Sequence, residues 1–155
     1  MEKKLKVVFV CMGNFCRSPM AEGVLKDLLQ REGLSHVEVT SAGTQAFHAG
    51  RPPDPRAQQV LKRRGIDISQ HRVRRVALEE LQQADHILVM DKQDYASVTA
   101  LLPEARGRVE LFLDYAPSME EREILDPYYG TIKGFEQVLD LIEAAAKGFV
   151  ERLSR

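Results

Sequence analysis

The sequence predicts an α/β fold built on a parallel sheet, because short apolar, β-branched runs alternate with helical patterns along nearly all of its 155 residues. Strands that alternate with helices imply crossover connections, which cover both faces of the sheet. A hydrophobic content of 44% over this length is enough for one domain, residues 1–155, to bury its own core. No repeat, low-complexity tract or linker divides it.

Leu5-Lys6-Val7-Val8-Phe9-Val10 reads as a buried first strand that stops at Cys11-Met12-Gly13-Asn14, where turn chemistry begins. From Pro19 the apolar residues Met20, Val24, Leu25, Leu28 and Leu29 recur at helical spacing, with Pro19 suited to a first turn and Gly33 to a stop. Val37 to Ser41 is the second strand. Gly43 to Pro55 is a Gly- and Pro-rich loop whose Phe47 and His48 lack periodic partners, as the wall of a site would. Asp54-Pro55 opens a helix to about Arg64, ended by Gly65, and Leu78 to Ala84 forms a shorter one. The run His86 to Met90 is a third strand, with Asp91 just past its end. A helix from Gln93 to Leu102, a strand from Arg108 to Phe112, an irregular stretch through Tyr129 and an amphipathic helix from Ile132 to Leu153 complete the chain.

Charge restricts the partners. Basic and acidic residues nearly cancel, 22 against 23, so the overall balance calls for neither nucleic acid nor an anionic membrane, and any anion site must be local. After Met1-Glu2-Lys3-Lys4 the apolar run is too short for a signal peptide, and no segment approaches a membrane span, so a cytoplasmic protein is expected. Two cysteines, Cys11 and Cys16, do not make a disulfide framework; in a reducing compartment they point to chemistry.

Cys11 to Ser18 falls beyond the carboxyl end of the first strand, where open parallel sheets place their ligands. Consecutive N–H groups of Met12, Gly13, Asn14, Phe15, Cys16, Arg17 and Ser18, in a loop that enters a helix, form a nest for phosphate. Gly13 and Asn14 tolerate the positive φ that such a loop needs. Arg17 supplies a planar fork for two phosphate oxygens. Helix end and guanidinium both favour thiolate at Cys11, so a depressed thiol pKa and a resting thiolate nucleophile are expected, with Ser18 donating to the sulfur.

Val10-Cys11-Met12-Gly13-Asn14-Phe15-Cys16-Arg17-Ser18-Pro19 closely resembles the signature of the low-molecular-weight protein tyrosine phosphatases. Ser41-Ala42-Gly43-Thr44, Gly50-Arg51-Pro52-Pro53-Asp54-Pro55-Arg56-Ala57, His71 and Asp126-Pro127-Tyr128-Tyr129 extend the resemblance over nearly the whole chain, in the same order. It implies a three-layer fold with a four-stranded parallel sheet. It also implies hydrolysis of phosphotyrosine and small aryl phosphates through a phosphocysteine intermediate, with no cofactor and inorganic phosphate as product. Cys11 is then the nucleophile, Arg17 the phosphate clamp and Asp126 the acid that protonates the leaving oxygen and later, as carboxylate, activates water. Pro127 biases Asp126 away from helical geometry and helps project its carboxyl group into a cleft. Tyr128 and Tyr129 would form one wall of an aromatic slot with Phe47 opposite, a depth that selects phosphotyrosine over phosphoserine. Phe15 favours an aryl substrate, since related phosphoarginine enzymes carry a small polar Thr there. By the same analogy Asn14 is linked to Ser41 and His71 to hold the loop. Cys16 is placed for a reversible, protective disulfide with Cys11.

Singly, these residues have plainer readings. Cys11 after a strand can be inert core, Asp126 a turn starter, Tyr128 and Tyr129 packing, and His71 a surface residue in the basic stretch through Arg75. Their co-occurrence with the loop carries the functional reading. Asp91 is read as a helix cap rather than a catalytic group. His36, His48 and His86 show no metal-ligand spacing, so no metal is expected. Arsenate reduction on the same fold would need distal thiols, and no cysteine follows Cys16. A noncatalytic phosphate-binding module would have no use for Cys11, Arg17 and Asp126 together. Phosphotyrosyl proteins are the expected partners of a monomer, with weak self-association through tyrosines near the site left open and Arg74 as a surface for acidic substrates.

Overall fold

The computed structural model describes residues 4–154, so the reading of the Met1-Glu2-Lys3 start lies outside them. Four strands, β1 (Leu5–Cys11), β2 (Val37–Gly43), β3 (His86–Val89) and β4 (Val109–Leu111), form one sheet in the order β2-β1-β3-β4, and every pairing is parallel. Five helices connect or follow them: α1 (Arg17–Arg31), α2 (Pro55–Lys62), α3 (Leu78–Gln83), α4 (Lys92–Leu101) and α5 (Ile132–Leu153).

Side chains alternate across a strand, so the unbroken apolar run of β1 must be covered twice. Val7, Phe9 and Cys11 pack with α1, α2 and α5, while Val8 and Val10 pack with α3 and α4. That divides the core into two and makes the three layers. The chain leaves β1 for β2 on one side and returns to β3 on the other, which puts the switch point of the sheet at the carboxyl end of β1. Cys11 ends that strand.

The element boundaries differ from the sequence reading where tertiary contacts extend or cut them. Helix α1 begins at Arg17, two residues before Pro19, so Arg17 and Ser18 lie in its first turn. Strand β2 runs on to Gly43 because it keeps pairing with β1 as far as Cys11. Helix α2 stops at Lys62, and Gly65 follows with φ 78°. Strand β4 is cut to three residues by short 3-10 segments at 103–108 and 112–115.

Candidate active site

The loop from Cys11 to Arg17 turns its acceptors outward. The Cys11 carbonyl accepts from Thr44 N–H, Met12 from Gln45 and Ala46, Phe15 from Asp54, and Cys16 from Met20. With those carbonyls engaged by surrounding backbone, the N–H edge is left for the cleft. Asn14 N–H already points at Cys11 Sγ, 3.3 Å away.

Asn14 holds this curl. Its φ of 52° lies in the left-handed region, which Asn enters more readily than other residues with a side chain. All the polar capacity of its amide is used: Nδ2 donates to Ser18 Oγ at 2.9 Å and Ser41 Oγ at 3.1 Å, and Oδ1 accepts from His71 Nε2 and Arg74 N–H, both at 3.0 Å. Two proton positions follow. Because Asn14 donates to Ser18 Oγ, the Ser18 hydroxyl proton is free to point at Cys11 Sγ, 3.0 Å away. Because Oδ1 can only accept, His71 carries a proton on Nε2. Ser41 in turn donates to Glu22 Oε1 at 2.6 Å. The expected link from Asn14 to Ser41 and His71 is present, and Glu22 and Arg74 join it without having been foreseen. Burial lowers the His71 pKa despite the opposing pull of Glu22.

Beneath the loop, Arg17 Nη1 donates to Asp91 Oδ2 at 2.7 Å and to the Ile124 carbonyl at 2.8 Å. These bonds fall on one nitrogen, so the rest of the fork is left to the cleft that Arg17 helps to line. Asp91 caps α4 as read from the sequence, taking Asp94 N–H on Oδ1 at 2.7 Å, and in addition anchors Arg17. Arg17 remains firmly protonated: burial opposes its charge, but Cys11, Asp94 and Asp91 outweigh that.

The expected depressed thiol at Cys11 is corrected. Burial pushes the thiol up, and it outweighs the pull of Arg17 and Ser18 toward thiolate. The same loop that surrounds the sulfur with donors also strips its water. Cys16 is pushed up too, by burial first and then by Asp54, whose Oδ2 lies 4.0 Å from its sulfur. Both cysteines are free thiols.

A cleft of about 280 Å³ opens above the loop, lined by Cys11, Met12, Gly13, Phe15, Cys16 and Arg17 below and by Phe47, His48, Asp126, Tyr128 and Tyr129 at the mouth. Asn14, Ser18, Ser41 and His71 stand behind it. Phe47 is 73% exposed and Tyr129 94%, so both are rim residues. The closer aromatic contact is one the sequence did not disclose: His48 stacks on Phe15 with ring centroids 4.2 Å apart, and Tyr128 tilts toward both. Asp126 is exposed at the mouth, its Oδ1 accepting from Tyr128 N–H at 3.0 Å.

Arg56 ties this mouth to the body. It pairs with Asp54 through two nitrogens, at 2.8 and 3.1 Å, stacks over Phe135 and donates to the carbonyls of Tyr128 and Gly130, both at 2.9 Å. Only its place in the Asp54-Pro55-Arg56 motif could have marked it from sequence.

Comparison with known proteins identifies the family. The family model described as low molecular weight phosphotyrosine protein phosphatase matches residues 6–155. The low molecular weight phosphotyrosine protein phosphatase of Schizosaccharomyces pombe is 38% identical, over 87% of this chain and 88% of its own. A protein tyrosine phosphatase from Entamoeba histolytica superposes with a TM-score of 0.92 at 33% identity, covering 97% of each chain. The arginine phosphatase YwlE superposes with a TM-score of 0.89 at 30% identity, again over 97% of each chain. On the match of its sequence over nearly its whole length and of its fold, the chain belongs to the low molecular weight phosphotyrosine protein phosphatase family.

Proposed function

We propose that this chain hydrolyses phosphotyrosine in proteins, and small aryl phosphates, by a two-step route through a phosphocysteine. The observation that carries the reading is that one narrow cleft has Cys11 and Arg17 at its floor and Asp126 with aromatic side chains at its mouth. In the first step Cys11, its thiol proton given up to solvent, attacks phosphorus as the thiolate, the S–P bond forms, and the P–O bond to the tyrosyl oxygen breaks as Asp126 gives that oxygen its proton. In the second, the Asp126 carboxylate takes a proton from water, whose oxygen attacks phosphorus, and the S–P bond breaks to release inorganic phosphate. The N–H groups of the loop and the free side of the Arg17 fork hold the nonbridging oxygens throughout. Arg17 and Ser18 pull Cys11 toward thiolate and offset part of the cost of burial.

The Phe15–His48 stack gives the cleft an aromatic wall suited to an apolar aryl ester rather than to the polar guanidino group that YwlE's name implies. No helix of the described residues is long and apolar enough to cross a membrane, and a cytoplasmic location and a monomeric state belong to the same proposal. The test is turnover of para-nitrophenyl phosphate, with chelator present, by the wild type, Cys11→Ser and Asp126→Asn. Loss of activity in the first variant and a severe fall in the second are expected. A Cys11→Ser enzyme that still turns over would overturn the mechanism.

A further inference from the structure

Two carboxyl groups share the guanidinium beneath the cleft, and they are not equivalent. Asp91 Oδ2 lies 2.7 Å from Arg17 Nη1 and Asp94 Oδ2 lies 3.7 Å from the same nitrogen. Asp91 reaches solvent, with its side chain 15% exposed, and both its oxygens are bonded. Asp94 is sealed at 3%, and its Oδ2 is the one buried side-chain N or O atom among the described residues with no hydrogen-bond partner.

The charges around Asp94 do not balance if it is ionised. From α1 it faces Arg17, from β1 Cys11, at the head of its own helix Asp91, and at the end of β3 the Met90 backbone N–H. The segment at Ile124 adds a carbonyl, which Arg17 already occupies, and one further negative charge, Glu123, whose Oε2 accepts from Lys92 N–H at 3.4 Å at the head of α4. A single cation thus serves Asp91, Asp94, the Cys11 thiolate and any bound oxyanion. An uncompensated carboxylate in such a place is costly, and taking up a proton relieves it. Asparagine would fill nearly the same volume without the charge, so what the carboxyl group adds is a titratable proton.

We propose that Asp94 is a positioning residue that works as a neutral carboxylic acid: it takes a proton when an oxyanion fills the loop, and its ionisation at higher pH draws Arg17 away and sets the alkaline limit of activity. The electrostatics run the same way, since burial, with Asp91 reinforcing it and Arg17 opposing it, pushes Asp94 up to about 7. Ionised Asp94 also raises Cys11 further. The inference rests on reading the loop as an oxyanion site.

The experiment is calorimetry of inorganic sulfate, whose charge is constant over this range, binding to Cys11→Ser, which removes the thiol as a home for the proton. Measured at pH 7.5 in two buffers of unlike ionisation enthalpy, binding takes up protons, at least about half a proton per sulfate. The uptake disappears in Cys11→Ser/Asp94→Asn. In turnover, kcat/KM of Asp94→Asn at pH 8.5, relative to its own value at pH 6, is about tenfold higher than the same ratio for the wild type. Should Asp94→Asn fail to fold, Asp94→Ser takes its place in both measurements. Binding without proton uptake, uptake that survives the second substitution, or coincident alkaline limbs would each overturn the role of Asp94 alone. Failure of Cys11→Ser to bind sulfate would overturn the oxyanion reading and this inference with it.

Discussion

Arg56 donates to the Tyr128 carbonyl at 2.9 Å while its other contacts fix it to Asp54 and Phe135, so one guanidinium joins the loop that carries Asp126 to the start of α2. A planar fork can satisfy a carboxylate and two carbonyls at once, which a lysine cannot. Arg56→Ala is therefore expected to lower kcat on aryl phosphates about 10- to 100-fold by misplacing the acid, with Arg56→Lys restoring only part. The loss should be greatest for phenyl phosphate, whose leaving group needs its proton, and least for para-nitrophenyl phosphate. A loss equal across leaving groups would show that Arg56 does not act through Asp126.

Ser18 is the donor whose proton the network directs at the sulfur, because Asn14 Nδ2 already fills its acceptor side. A hydrogen bond to the charged form lowers a pKa, so its removal raises it. Ser18→Ala is expected to move the inflection of iodoacetamide alkylation at Cys11 upward. The shift adds to the upward push of burial, against which Arg17 and the backbone N–H at position 18, kept in the variant, still pull. An unchanged or lower inflection would mean that the hydroxyl points elsewhere.

The parts of this arrangement that depend on neighbours in sequence were the readable ones. The apolar run of β1, the turn residues after it and the helix that follows are local, and in the structure Cys11 ends β1 while Arg17 and Ser18 open α1. Asp91 was readable as a cap because capping is a contact over three residues. Its second partner, Arg17, lies 74 positions away and left no trace in the pattern. His48 was read as part of a site wall, but its stacking on Phe15 was missed because that contact depends on how the 44–54 loop folds back. The thiol expectation failed for another reason: the sequence displays the charges near Cys11 but not how much water the fold removes from it.

Phe15 lies in the cleft with its ring face covered by His48. Replacing it with threonine removes that stacked wall and leaves a wider, more polar floor. Phe15→Thr is expected to lose about tenfold in kcat/KM on para-nitrophenyl phosphate, roughly the worth of one aromatic contact, and to gain on phosphoarginine. The ratio of the two activities, measured on one preparation, is the readout. A ratio that does not move would transfer the choice of substrate to the rim residues Phe47 and Tyr129.

Gly43 closes β2 directly against the loop, and its need for glycine comes from space rather than from φ. A Cβ at this position would stand 2.9 Å from the Met12 carbonyl oxygen and 3.0 Å from both Asn14 N and the Gly13 carbonyl carbon, all of them backbone atoms that cannot swing aside. The strand cannot retreat either, because Gly43 N–H donates to the Arg74 carbonyl at 2.9 Å and Gly43 O accepts from Val76 N–H at 2.9 Å. Gly43→Ala must therefore displace the curl around Asn14, whose φ already lies in the left-handed region. The expected cost is about 1–3 kcal/mol of stability, typical of forcing atoms into a packed site. Activity should fall by about 100-fold in kcat/KM, about 2.7 kcal/mol of transition-state stabilisation, since a displacement near 1 Å of oxyanion donors is felt directly in the transition state. Thermal melting and para-nitrophenyl phosphate turnover on the same variant separate the two. A variant that melts lower but keeps its rate would show that the loop tolerates the shift, and that Gly43 matters to the sheet edge rather than to the site.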